Sequence, residues 1–167
     1  MAKSPKFLVI DGCPAPYDVA PYIYLILRRA GQRANSIYRG DDAKDLLHRL
    51  GKHTQREIHA DPRYAHISNP PGFSTHELYS DGVAYHTPRG GHLHSWQVGV
   101  DSGGDDAASK AAIERAAHHY GLRVFHPYNR GVENHHWNFV RQPVADGKHL
   151  TKTRVILTRA KLRLGRG

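Results

Sequence analysis

Glu133-Asn134-His135-His136-Trp137 brings a carboxylate able to move protons and an imidazole able to bind a metal into one short segment. Glu-x-x-His alone is a weak pattern, but Ser74-Thr75-His76 and Gly99-Val100-Asp101 add to it. His76, Asp101 and His136 together make two imidazoles and a carboxylate. Such a donor set can hold a catalytic zinc and leave one position open for water. A zinc in that setting brings the pKa of its water to about 7, and a neighbouring carboxylate takes the proton and hands it to the leaving group. Glu133 suits that transfer, so the set points to hydrolysis.

Helices, strands and turns must carry these residues to one place. An extended segment at 6–10 is followed by turn residues Asp11-Gly12 and Pro14-Ala15-Pro16. Asp18 resembles an N-cap, and Val19, Tyr22, Ile23, Ile26 and Leu27 recur at helical spacing until Gly31. A short strand is predicted at 34–39, a helix at 41–50 ended by Gly51, and a helical piece at 54–59. Asp61-Pro62 and Asn69-Pro70-Pro71-Gly72 mark a loop that delivers Ser74 and His76. Residues 82–86 and 95–100 have strand character, and 87–91 supply turn chemistry, which predicts a hairpin or two neighbouring antiparallel strands with Asp101 at the exit. Asp105 or Asp106 caps a helix through Ala111, Ile113 and Ala117 that stops at Gly121, and strands follow at 122–125 and 136–140. Helices mixed with short strands and hairpins predict an α+β single domain, a small antiparallel sheet flanked by helices.

Composition fits one globular domain, with 39% hydrophobic and 23% charged residues over 167 positions. Fourteen histidines are too many to be ligands together, so position rather than number must decide among them. His92 and His94 alternate as solvent-facing strand residues do, and His118-His119 sit where a helix C-terminus favours positive charge. A single cysteine, Cys13, excludes an intrachain disulfide and a Cys-x-x-Cys zinc site. The net charge of +9 implies attraction to a polyanion: nucleic acid, an acidic membrane surface or an anionic bacterial wall. No run approaches the roughly 18 apolar residues of a membrane span. The apolar run at 7–10 is too short for a signal-peptide core, so synthesis in the cytoplasm without a signal peptide is expected.

In these segments the chain resembles the zinc D-alanyl-D-alanine peptidases and the related phage endolysin peptidases, which share a core with the hedgehog signalling domain. That family reads Ser-x-His at the first ligand, small-x-Asp at the second and Glu-x-Trp-His-Trp at the third. Ala116-Ala117-His118-His119-Tyr120-Gly121-Leu122 is similar to the family's helix end before a strand, and Asn35-Ser36-Ile37-Tyr38-Arg39 to its Ser-x-Tyr-Arg segment. The likeness spans roughly residues 34–140. It implies a Zn2+ peptidase of bacterial peptidoglycan, of D,D-carboxypeptidase or L,D-endopeptidase type, phage-associated and lytic, acting on the wall after release. His76, Asp101 and His136 would be the ligands and Glu133 the proton shuttle. Arg39 would contact substrate and stabilise the oxyanion, and Ser74 would add a substrate hydrogen bond.

The chain departs from the family pattern in two places. His76 and Asp101 lie much further apart than the family's first two ligands, which predicts a hairpin inserted between them. Asp81 is the rival ligand; Asp101 is preferred because it directly precedes the helix and Tyr-Gly segment. His135 stands where the family has Trp, leaving His135 and His136 as alternatives, with the Glu-x-x-His spacing favouring His136. The catalytic domain is expected over 1–147, and 148–167 as a basic final element, linker or polyanion-binding tail. A metal-dependent nuclease is the alternative enzyme, but no strand-turn-helix segment pairs a His base with downstream Asn and His ligands, which disfavours nucleic acid as a partner. A non-catalytic wall- or polyanion-binding module of the same fold is the other alternative.

Overall fold

The computed structural model describes residues 7–17, 19–77, 85–86, 92–93, 97–120, 124–126 and 135–140. Its first unit is a hairpin of β1 (Phe7–Ile10) and β2 (Cys13–Pro16), with Ile10 opposite Cys13. Asp11 and Gly12 turn the chain at φ 49° and 74°, the left-handed pair that a two-residue hairpin turn requires. Residues 14–16, expected as turn, are strand instead. Proline is tolerated there because β2 belongs to a two-stranded ribbon, where a missing ladder donor costs little. The carbonyl of Pro14 is used, accepting from the Tyr38 amide at 3.0 Å.

Helix α1 (Ala20–Arg29) buries Ile23, Ile26 and Leu27 as its spacing predicts. Val19 occupies the N-cap position, and Asp18 lies outside the described residues. Gly31 at φ 69° closes the helix, and the Gln32 amide reaches back to the Leu27 carbonyl at 2.9 Å. Strand β3 (Ala34–Ser36) is shorter than predicted. Beyond it the Tyr38 and Arg39 amides leave the sheet, bonding to Pro14 and to the His76 carbonyl at 2.6 Å.

The helix expected at 41–50 divides into a 3₁₀ turn, Asp41–Ala43, and α2 (Lys44–Arg49), with Ala43 and Leu47 buried. Helix α3 (Gln55–Ala60) starts at Thr54, whose side chain forms a capping box with Glu57. A second 3₁₀ turn, Thr75–Glu77, carries His76.

Between His76 and Asp101, β4 (Tyr85–His86) and β5 (His92–Leu93) form the hairpin. Its pairing differs from the expected one, because β6 (Gln97–Ser102) is not its second strand. β6 lies between β3 and β8 in the four-stranded sheet β3-β6-β8-β7. The alternation in β6 explains this, since Val98 and Val100 are both fully buried and need a core beneath them. Helix α4 (Ala107–Tyr120) begins after Asp106, whose Oδ1 accepts from the Ser109 amide at 2.6 Å. Strands β7 (Val124–Phe125) and β8 (His136–Val140) complete an all-antiparallel sheet. The fold is α+β, with small antiparallel sheets and helices, as expected. The segment 148–167 and its boundary lie outside the described residues.

Val98 and Val100 of β6 and Trp137 and Phe139 of β8 join one core with Ile23, Ile26, Leu27, Ile113 and Ala117. Trp137 thus belongs to the core, on the strand face away from His136. On the other face, Gly99, Asp101 and His136 meet the Thr75–Glu77 turn, and Asn138 contacts His136. No described helix is long and apolar enough to cross a membrane.

Candidate metal centre

Strand pairing sets Asp101 opposite His136 and Gly99 opposite Asn138. The turn carrying His76 sits directly over Gly99, where a Cβ would lie 2.5 Å from Thr75 Oγ1 and 3.1 Å from the His76 amide. Ser74 holds that turn from within. It is 3% exposed, and its Oγ accepts from the His76 amide at 3.2 Å, an engagement distinct from the substrate contact expected of it. Glu77 Oε2 secures the approach by accepting from the amides of Gly72 at 2.9 Å and Ser74 at 3.3 Å.

His76, Asp101 and His136 come together with one donor atom each. His76 Nε2 lies 3.3 Å from Asp101 Oδ1 and 3.3 Å from His136 Nδ1, and the last pair is 2.8 Å apart. Tetrahedral bonds of about 2.0–2.1 Å put ligand atoms about 3.3–3.4 Å apart. Two of the three edges match that spacing, and the third is shorter.

Hydrogen bonding orients both rings. His76 Nδ1 is 2.6 Å from the Ile37 carbonyl, which can only accept, so Nδ1 carries the proton and the Nε2 lone pair faces Asp101 and His136. His136 Nε2 lies 3.2 Å from Asn138 Oδ1, also an acceptor, and 3.3 Å from Thr75 Oγ1. With the Nε2 proton given to Asn138, the Nδ1 lone pair faces Asp101. Three electron-pair donors therefore converge in a buried space. A proton can bridge one pair of them at a time, whereas a divalent cation serves all three.

Protonation states agree with this arrangement. Burial, reinforced by the Arg39 charge, pulls His76 down to about 4, which keeps it neutral at pH 7. Burial alone would raise Asp101, but in the metal-free state, where a ring proton rather than a lone pair faces the carboxylate, charge and hydrogen bonding from His76 and His136 outweigh that and hold the carboxyl well below its usual range. Arg39 is partly buried, and desolvation lowers its pKa, while the charges of Asp101 and Glu77 oppose the shift. Its Nε has no hydrogen-bond partner among the described residues. A partly buried guanidinium of this kind can bind an anionic or carbonyl oxygen.

Of the two adjacent histidines, His136 enters the cluster. His135 faces away, with Nδ1 3.1 Å from Asp105 Oδ1 and its carbonyl accepting from the Ser102 amide at 2.8 Å. Glu133 and Asp81 lie outside the described residues. The sequence reading missed the groups that orient the ligands: the Ile37 carbonyl, Thr75, Glu77 and Asn138. Asn138 carried a usable signal, because residues two apart on a strand share a face.

Comparison with protein-family models, with curated proteins and with solved structures finds no match to this chain.

Proposed function

We propose that the chain is a zinc peptidase that hydrolyses peptide bonds of bacterial peptidoglycan, a phage-associated lytic enzyme that reaches the wall after release. The observation that carries this reading is the convergence of His76 Nε2, Asp101 Oδ1 and His136 Nδ1 beside the partly buried Arg39. The ordered Arg-Tyr, Ser-x-His, small-x-Asp and Glu-x-x-His-Trp segments support the peptidase assignment within metal chemistry, and the hedgehog-like core belongs to the same reading. Two imidazoles and a carboxylate fit zinc, which when bound would activate water and polarise the scissile carbonyl.

The chain's own residues supply the remaining functions. Arg39 presents fixed positive charge to the carbonyl oxygen or to a substrate carboxylate. Ile37 and Asn138 hold the two imidazoles in the tautomers that leave their lone pairs on the cluster. Glu133, three positions before His136, takes the proton from water and delivers it to the leaving amine. The net charge of +9 draws the protein to an anionic wall.

Glu133→Ala tests this assignment: zinc content is expected to persist while clearing of purified peptidoglycan stops. Clearing at the normal rate by this variant would refute the proton-transfer role. Zinc content in Asp101→Ala and Asp81→Ala tests the ligand set, and loss only in the Asp81 variant would overturn it.

A further inference from the structure

We propose that His48, His53 and Glu57 form a second, surface transition-metal site that clips α2 to α3. His48 stands in the last turn of α2, His53 in the connection, and Glu57 at the third position of α3. One donor atom from each lies within 4.8 Å of the others. His48 Nε2 is 2.7 Å from Glu57 Oε1, and His53 Nδ1 is 3.8 Å from Glu57 Oε2.

The capping box fixes the Glu57 carboxylate. Its Oε2 accepts from the Thr54 amide at 2.8 Å, and Thr54 Oγ1 accepts in return from the Glu57 amide at 3.1 Å. That leaves Oε1 directed at His48. The imidazoles are 45% and 71% exposed, so a hydrated ion reaches them and small side-chain rotations bring His53 in. Lys44 Nζ, 4.0 Å from Oε1 and half exposed, is the competing cation and swings into solvent when metal binds. Two imidazoles and a carboxylate select zinc, cobalt, nickel or copper over calcium and magnesium, which prefer oxygen donors. The clip bears on the molecule beyond the two helices, because the Gln55 amide at the start of α3 bonds to the Arg39 carbonyl at 2.8 Å.

This site shares no residue with the buried centre, so the two can fail independently. The test is zinc titration of the metal-stripped full chain against a chromophoric chelator, comparing the parent with H48Q, H53Q and D101A, each checked by circular dichroism. H48Q and H53Q are expected to lose one zinc equivalent that D101A retains, or to hold it at least ~10-fold more weakly. In the D101A background, zinc should raise the melting temperature, and adding H48Q should abolish the rise. Equal zinc binding by the parent, H48Q and H53Q would overturn the proposal. Failure of D101A to lose zinc would count against the buried centre instead.

Discussion

Asp101 and His136 stand directly opposite each other in the β6/β8 ladder, with Oδ1 of one 2.8 Å from Nδ1 of the other. Two of the three members of the candidate metal centre are therefore placed by strand register. A slip of one residue by β8 would turn His136 to the core face and bring Trp137 to the site beside Asp101. The third member, His76, arrives on a turn that fits only because position 99 has no side chain.

Gly99→Val should separate the turn from the sheet. Its added carbons meet Thr75 Oγ1 and the His76 backbone, and the overpacking is expected to cost about 1–3 kcal/mol. Denaturant unfolding measures that loss, and zinc affinity should fall with it. Parental affinity in a folded variant would mean that His76 does not depend on the turn's seat.

Asn138→Ala leaves all three donor residues in place and removes the acceptor that orients His136. Loss of such a supporting contact typically weakens metal binding by about 10–100-fold. Competition titration with a chelator reads this directly, and an unchanged affinity would show that Asn138 does not set the ring.

The metal-free protein should lose stability in acid by a definite route. His76 titrates at about 4 in the folded chain against an ordinary 6.5, so between those values the unfolded chain binds the extra proton. Stability then rises with pH across the window and is lost as pH falls from 6.5 to 4, by on the order of 3 kcal/mol at about 1.4 kcal/mol per unit. Asp101, held below its ordinary 3.8, contributes stability that is present above that value and is lost below it. Urea midpoints of the apo protein across this range check the slope, and His76→Gln should flatten it above pH 4.

The helices were legible where periodicity and stop signals agreed: α1 from its apolar spacing and Gly31, and α4 from Asp106 and its alanines. Strand partners were not. Residues 95–100 read as the return of a hairpin, because a turn-rich segment preceded them and nothing local says that β6 pairs with β8. Pro14 and Pro16 read as turn because proline's place in a two-stranded ribbon depends on tertiary context. At the site, the ligating residue types and their order were visible, and the structure brings His76, Asp101 and His136 together. The Ile37 carbonyl was invisible, being backbone, and the His48, His53 and Glu57 cluster spans a helix junction whose geometry no spacing rule describes.

Arg39→Gln separates metal binding from catalysis. Arg39 donates no ligand to the cluster, so zinc content should stay at the parental level while kcat/KM on a peptidoglycan peptide falls by about 10²–10³, the usual cost of removing one oxyanion donor. An unaltered kcat/KM in a folded, zinc-loaded variant would remove Arg39 from the mechanism.

Mass spectrometry of purified peptidoglycan digested by the zinc-loaded chain tests the central claim most directly, since it registers both the activity and the bond. The expected result is new peptide termini within the stem or crossbridge, intact glycan strands, and no such products after chelation. Undigested peptide stems, or cleavage only in the glycan, would contradict a zinc peptidase.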